Sequence, residues 1–250
     1  NGTNVDFRVN GRDLGGLSPN VTAASNTGNV REIEKALYFQ INFERDIGGI
    51  MVRGDAGVRY VSTDQRSFGY GVGTGGANPL TVERSYDNWL PAMNLVAELT
   101  PDLLLRFGAA QVITRPGLGS LMPGGQLTID ASNRSFSPGN PLLNPTSANN
   151  LDGSLEWYFA KGSLLAVSLF QKSITTLSGT QVTTLVPFNQ LGFPLTIATD
   201  RGLAVDVPVT VRRTINGEGG TLRGFEINYQ HQLTFLPGFL KNLGVLANYT

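Results

Sequence analysis

The residues that most often carry chemistry are scarce in this chain of 250 residues. It contains no cysteine and a single histidine, His231, which excludes a disulfide framework, a thiolate nucleophile and a multi-histidine zinc cluster. His231 stands between Gln230 and Gln232, and the chain has no serine elbow that would complete a catalytic triad. We therefore predict that the protein is not an enzyme and that it holds no metal and no other cofactor.

Two short stretches match known binding motifs only in part. The glycines of residues 71–76 fit the dinucleotide fingerprint, but that fingerprint requires a helix immediately after it, and Ala77, Asn78 and Pro79 follow instead. Residues 130–134 lack the carboxylate spacing of a calcium loop. Both stretches are better explained as loop segments than as cofactor sites.

Composition narrows the class of protein further. The 19 lysines and arginines balance 19 aspartates and glutamates, so the chain lacks the basic excess of a nucleic-acid-binding protein. Charged residues make up 15% of the chain, below the roughly 25% of an average soluble domain. The 31 glycines and 13 prolines weigh against a mainly helical fold, because both residues destabilise helix interiors. Turns and extended segments should dominate.

Apolar and polar residues alternate with a period of two in eight segments, which predicts eight strands. In residues 36–44, for example, the odd positions are apolar and the even positions are mostly polar. Residues 164–170 are apolar on both sides, so their two faces cannot be assigned from the pattern. The predicted strands lie at residues 36–44, 51–60, 93–99, 103–109, 152–159, 164–170, 225–230 and 243–249.

The connections between these strands alternate in length. Short ones lie at residues 46–49, 100–102 and 160–162, whereas long segments lie at residues 64–85, 116–150 and 173–220. Such an alternation puts every long loop at one end, which is typical of outer-membrane barrels. We predict an all-β fold: an antiparallel transmembrane β-barrel segment with short periplasmic turns and long extracellular loops. Residues 1–30 are expected to form a further extracellular loop, followed by the eight strands in residues 31–250.

The residue types on the two predicted faces agree with a barrel in lipid. Charged residues fall on the face opposite the apolar one, where they would line the interior: Arg53, Asp55, Arg59, Glu98, Arg106, Asp152, Glu156 and Glu226. Aromatic residues gather near the short turns, as in an interfacial girdle: Trp157, Tyr158, Phe159, Phe235 and Phe239.

Several of these segments together resemble the barrel portion of TonB-dependent outer-membrane receptors. The resemblance runs from about residue 36 to residue 250. It is densest in YDNWLP at 86–91 with Asn94 and Glu98, LLLRFG at 103–108 with TRP at 114–116, GNPLLNP at 139–145, LEWYF at 155–159, GEGGTLRGFE at 217–226 and residues 243–249.

This resemblance implies a 22-stranded barrel in the outer membrane of a Gram-negative bacterium. It also implies a plug domain and energy passed from the inner membrane by TonB through that plug. The plug, the TonB-contacting segment and the closing C-terminal strands would then lie outside these 250 residues. Thr146 stands where the resemblance predicts an acidic residue. The expected partners are outer-membrane lipid, the plug, TonB and a scarce ligand, which could be a siderophore, cobalamin or an oligosaccharide.

Rings and amides in the long loops are the candidate ligand-binding groups, because rings stack on sugars or chelates and amides hydrogen-bond to them. Two arginines of the predicted inner face join them. The candidates are Tyr70, Asn78, Phe136, Asn140, Phe188, Asn189, Arg59 and Arg106.

Two other classes of protein stay open at this point. Eight strands could close by themselves into a passive porin-like or small structural barrel. Alternatively, the chain could be a soluble carbohydrate-binding or hydrolytic β-protein, in which the aromatic residues form a core.

Overall fold

The computed structural model describes residues 8–9, 12–13, 27–73 and 76–250, and most of the predicted loop at residues 1–30 lies outside them. The described residues contain twelve strands: β1 Arg8–Val9, β2 Arg12–Asp13, β3 Gly28–Ile47, β4 Ile50–Gly73, β5 Gly76–Thr100, β6 Leu103–Thr114, β7 Gly125–Ile129, β8 Arg134–Pro138, β9 Thr146–Ala160, β10 Ser163–Pro187, β11 Pro208–Gln232 and β12 Gly244–Tyr249.

The helical elements are short. One turn of α-helix, α1, spans Thr196–Thr199, and 3-10 turns span Leu118–Leu121, Phe188–Gln190 and Gly238–Asn242. Among the residues that the structure describes, no helix is both long and apolar enough to cross a membrane.

Ten of the strands form one sheet that curls into a half-barrel. The order is β3-β4-β5-β6-β9-β10-β11-β8-β7, and β12 pairs with the other end of β11. Neighbouring strands are antiparallel except for a short parallel pairing of β8 with β11. The predicted all-β, antiparallel barrel segment is therefore confirmed, and eight of the ten strands correspond to those that alternation predicts. The two additional strands, β7 and β8, lie within the segment 116–150.

Three tight turns join strands at one end of the sheet. In the β3–β4 turn, Ile47 pairs with Ile50, and the intervening Gly48 and Gly49 have φ angles of 65° and 89°. Two consecutive positive φ angles define a type I′ turn, whose twist matches that of the flanking strands. Glycine adopts this conformation at no steric cost, which explains the Gly-Gly pair.

Two of the segments predicted as long loops are mostly strand, which corrects the sequence interpretation. β4 and β5 stay paired up to Gly73 and Gly76, and β10 and β11 stay paired up to Pro187 and Pro208. On β4 beyond Ser62, polar residues occupy both faces, so the hydropathy alternation disappears while the backbone pairing with β5 continues. The segment 173–220, predicted as a long loop, is therefore strand as far as Pro187 and again from Pro208.

The strand register assigns the two faces of the sheet. All eight charged residues predicted for the interior lie on one face, here called the inner face. The opposite, outer face is apolar and exposed: the exposed fractions of Leu37, Phe39 and Leu169 are 76%, 67% and 64%. In β10, whose faces the pattern left open, Leu169 points outward, and Ala166 and Phe170 point inward.

A further apolar cluster, here called the loop core, lies at the end of the long strands that is opposite the three tight turns. It is formed by β7, the start of β11 and the connection 188–207 that contains α1. Its buried members are Leu127, Ile129, Phe188, Phe193, Ala198 and Val209.

Candidate functional site

Charged side chains of the inner face pair with one another across neighbouring strands. Arg106 Nε donates to Glu156 Oε1 at 2.8 Å, and the hydroxyl of Tyr158 donates to the other oxygen of Glu156 at 2.9 Å. Arg53 forms an ion pair with Glu98. Two ion pairs of the lining are thus satisfied within the sheet, and partly exposed pairs of this kind each add little stability.

These side chains border an open cavity of about 620 Å³ on the inner face of β5, β6, β9, β10 and β11. Arg106, Lys172, Asp152 and Glu226 all line it, so the wall carries both signs of charge. Phe170 supplies one apolar surface. A cavity whose wall carries both signs of charge suits a polar solute or the polar side chains of another protein segment, rather than a strongly charged ligand.

Above this cavity the segment Gly139–Pro145, here called the strap, crosses the inner face. On one side it is tied to β4 and β5. Gln65 Nε2 donates to the carbonyl of Pro141 at 2.8 Å, and Arg84 donates to Asn144 Oδ1 at 3.2 Å and to the carbonyl of Leu143. Arg84 is itself oriented by Gln65, whose Oε1 accepts from its Nε at 3.0 Å.

On the other side the strap is tied to β11. Asn144 and Asn216 exchange two hydrogen bonds: the backbone N–H of Asn144 donates to Asn216 Oδ1 at 2.9 Å, and Asn216 Nδ2 donates to the carbonyl of Asn144 at 3.0 Å. Asn140 Nδ2 donates to the carbonyl of Thr214 at 3.1 Å. Since β6, β9 and β10 lie between β5 and β11 in the sheet, the strap fixes the span of five adjacent strands.

The inner face of β4 is buried at this level although it is largely polar. Thr63 and Ser67 have no exposed surface, and Gln65 is 2% exposed. Arg115 bonds Glu34 at 2.5 Å and lies within 3.5 Å of the Thr63 hydroxyl. Buried polar groups keep such a position only when they are hydrogen-bonded, so the strap and this network stabilise each other.

The structure does not bring the eight candidate ligand-binding residues into one site. Phe188 has no exposed surface and Tyr70 has 6%, while Phe136 packs edge-on against Phe193 at 5.0 Å. Asn140 is engaged in the strap. These four side chains face protein rather than an open ligand surface.

The other four candidates keep an open setting or border the lumen. Asn78 and Asn189 are exposed at the end of the long strands, and Arg59 is exposed on the inner face. Arg106 borders the cavity while paired with Glu156.

Sequence reasoning missed the residues that tie the strap to the sheet, namely Gln65, Arg84, Asn144 and Asn216. The repeated Asn-Pro pairs at 140–141 and 144–145 were a usable signal, because asparagine before proline often starts a turn. Their partners on β11 lie more than 70 residues away in the chain, and no local pattern points to them.

Aromatic residues of the outer face form a column near the short turns. Trp157 and Phe159 lie 5.3 Å apart between ring centroids, Phe159 and His231 lie 5.2 Å apart, and His231 and Phe235 lie 5.8 Å apart. Tyr158, predicted with this group, belongs instead to the inner face, where its hydroxyl bonds Glu156.

Comparison with known proteins identifies the fold. A sequence model of the family described as TonB dependent receptor-like, beta-barrel matches residues 1–250. No curated protein sequence matches the chain significantly.

Solved structures similar to the chain include the hemophore receptor HasR of Serratia marcescens, a double mutant in complex with its hemophore HasA and heme. It has a TM-score of 0.52 and 12% identity, over 83% of this chain and 32% of that one. The siderophore receptor PirA of Pseudomonas aeruginosa has a TM-score of 0.44 and 13% identity, over 81% of this chain and 40% of that one.

The ferric enterobactin receptor PfeA of Pseudomonas aeruginosa, an R480A mutant in complex with enterobactin, has a TM-score of 0.45 and 13% identity, over 82% and 34%. The chain thus spans at most 40% of the length of these three proteins. All three are receptors, not enzymes. With a family match over its full length, the chain belongs to the TonB-dependent receptor-like β-barrel family.

Proposed function

We propose that the chain forms part of an outer-membrane barrel that takes up a scarce ligand with energy supplied through TonB. The observation that carries this proposal is the division of the sheet into an apolar, exposed outer face and a polar inner face. Lipid favours such a sheet, because its backbone groups are paired between strands and its outer side chains are apolar.

The height of the apolar band supports this assignment. On β4 the outward residues from Val52 to Tyr60 carry no charge, and the Tyr60 ring meets Trp89 of β5 at 4.9 Å. At about 3.3 Å per residue and a tilt of about 40°, this segment spans roughly 23 Å, close to the roughly 25 Å apolar band of outer-membrane barrels. Above Tyr60 the outward positions become Ser62, Asp64 and Arg66, which suits the aqueous side.

The polar inner face suits contact with a plug domain. It presents Asn94 bonded to Asp55 at 3.1 Å and the charged walls of the cavity, which another polar segment could satisfy. In this proposal the strap sets the width of the barrel wall near the strand ends that lie opposite the tight turns.

The ligand in our proposal is a siderophore, cobalamin or an oligosaccharide, and it binds at the outer end. The exposed amides of Asn78 and Asn189 remain the best-placed contacts of the predicted set, with Arg59 below them on the inner face. Siderophore and heme-linked ligands are named for the solved relatives PirA and HasR, which favours an iron-bearing chelate as the first ligand to test.

Fractionation and uptake together test this function. The receptor expressed from its gene should sediment with outer membranes, and uptake of a radiolabelled ferric siderophore, cobalamin or oligosaccharide should stop when TonB is deleted. Asn78→Ala and Asn189→Ala should weaken ligand binding, whereas Asn133→Ala, at the exposed β7–β8 turn, should not. Uptake that persists without TonB would favour the porin-like alternative, and a receptor found in the soluble fraction would favour the carbohydrate-binding one.

A further inference from the structure

The connection between β11 and β12 differs from the three tight turns at the same end of the sheet. It is longer and contains the 3-10 turn Gly238–Asn242. Two of its phenylalanines are bare: Phe235 is 71% exposed and Phe239 is 79% exposed. Rings this exposed cost free energy in water, which points to an apolar environment that covers them.

Phe235 continues the aromatic column of the outer face. Its ring adjoins His231, which stacks on Phe159 with an interplanar angle of 18°. The column therefore runs from the wall of the barrel into the β11–β12 connection without a break. This continuity places Phe235 at the level where the apolar band ends, which is where outer-membrane barrels carry their aromatic girdles.

The β9–β10 turn and the β11–β12 connection differ in charge from the other two short turns. The β9–β10 turn carries Lys161 and the β11–β12 connection carries Lys241, and both lysines are exposed. Residues 157–164 and 228–243 contain no acidic residue, whereas the β3–β4 and β5–β6 turns carry Asp46 and Asp102. Both lysines thus lie in segments without acidic residues at one end of the sheet, in a chain whose net charge is zero.

Hydrogen bonds hold both lysine-bearing segments against the end of β11. Gln230 Nε2 donates to the carbonyl of Gly162, the residue after Lys161, at 3.4 Å. The backbone N–H of Leu233 donates to the carbonyl of Leu243, two residues after Lys241, at 2.9 Å. Both lysines and both bare rings therefore lie at the same end of β11, and together they are here called the basic aromatic edge: Lys161, Lys241, Phe235 and Phe239.

We propose that the basic aromatic edge binds the headgroup of an anionic phospholipid in the leaflet at the short-turn end of the barrel. The phenylalanine rings lie at the boundary of the acyl chains, and the two ammonium groups bind the lipid phosphate. Lysine suits this role because its stem lies along apolar surface while its charge reaches the polar layer. This inference rests on the proposed function, since it requires the sheet to lie in a membrane.

Lipid retention measures this preference directly. The receptor expressed from its gene is placed in nanodiscs with equal amounts of phosphatidylglycerol and phosphatidylcholine, and the lipids retained after ejection are counted by native mass spectrometry. Phosphatidylglycerol should be enriched. Each of Lys161→Gln and Lys241→Gln should lower the enrichment about fivefold, the effect of one basic residue near a charged leaflet. Lys172→Gln, on the inner face, is the matched control and should leave it unchanged.

Salt gives a second measurement that does not depend on a variant folding. Raising NaCl from 50 to 500 mM should reduce the phosphatidylglycerol enrichment of the wild-type receptor, because screening weakens exposed charge contacts. Equal retention of the two lipids by the wild type would overturn the proposal, as would a loss with Lys172→Gln equal to that with Lys161→Gln. A receptor that enters no lipid at all would instead contradict the proposed function, so the two failures are distinguishable.

Discussion

The strap adjoins the loop core in the chain at β8, yet the two regions are held in different ways. β8 packs Phe136 against the loop core, and the strap begins directly after it at Gly139. The loop core is held by apolar packing around the fully buried Phe188. The strap is held mainly by amide and guanidinium hydrogen bonds, although the side chain of Leu143 is fully buried.

This difference assigns a different task to each region. Apolar packing has no preferred direction, so the loop core fills space and covers the ends of β7 and β11 without fixing a distance precisely. Hydrogen bonds fix both distance and angle. The strap therefore sets the separation of β5 from β11. The loop core stabilises β8, the strand that precedes the strap.

The largest effect should come from the loop core. Phe188→Ala removes a ring with no exposed surface and should lower the local stability of residues 188–207 by about 3–5 kcal/mol, through lost burial and the cavity left behind. Hydrogen exchange of that segment measures the change. Phe239→Ala makes the same substitution at a ring that is 79% exposed, and it should leave the segment unchanged. Unaltered protection in Phe188→Ala would show that the loop core does not stabilise the connection.

An intermediate effect is expected in the strap. Asn216→Ala removes two hydrogen bonds to the backbone of Asn144 and should cost about 1–3 kcal/mol. Faster exchange of the Asn144 amide would report it. Asn216→Asp keeps the acceptor for the Asn144 N–H but turns a second oxygen toward the Asn144 carbonyl, so it should not restore the wild-type stability. Asn189→Ala, at an exposed asparagine, serves as the control.

Phe188→Ala and Asn216→Ala together test whether the loop core and the strap unfold separately. We expect Asn216→Ala to leave residues 188–207 protected, because its bonds reach only the strap. If both variants loosened both regions equally, the strap and the loop core would form a single cooperative unit.

The parts of the fold that sequence predicts are those where one face meets an apolar environment. Residues 36–60 alternate because Leu37 and Phe39 lie on the outer face while Gln40 and Arg59 lie on the inner one. Beyond Ser62 polar residues occupy both faces, so the pattern no longer distinguishes a paired strand from a loop. The register itself continued and was invisible in the sequence.

The candidate site was harder to predict for a different reason. Loop aromatics were interpreted as ligand contacts, yet Phe188 packs with Leu127 and Phe193 in a core of its own. The connection 188–207 carries apolar residues that help to build that core, and this enrichment is visible in the sequence. The Asn144–Asn216 pair joins segments 72 residues apart, and such a contact follows from the curl of the whole sheet rather than from local spacing.

The smallest effect should come from pH at the β7–β8 turn, which carries Leu127 and Ile129 into the loop core. Asp130 Oδ1 accepts hydrogen bonds from the backbone N–H of Asn133 at 2.6 Å and of Ser132 at 2.8 Å. These bonds, the one from Asn133 first, lower the pKa of Asp130 below its usual value. The carboxylate therefore stabilises the turn fully above the unfolded pKa of about 4, and this contribution disappears as the pH falls through the lower folded pKa.

Two variants separate this titration from a general effect of acid. Asp130→Asn keeps an acceptor that does not titrate, so exchange of the Asn133 amide, corrected for its intrinsic pH dependence, should stay slow in acid. Asp130→Ala should exchange fast at every pH. In the wild type the Asn133 amide should exchange slowly at higher pH and fast as the pH falls below about 4. Phe188, buried among apolar side chains, should keep its neighbours protected at both pH values. A simultaneous loss of protection across residues 188–207 would mean that the polar turn, and not apolar packing, limits the stability of the loop core.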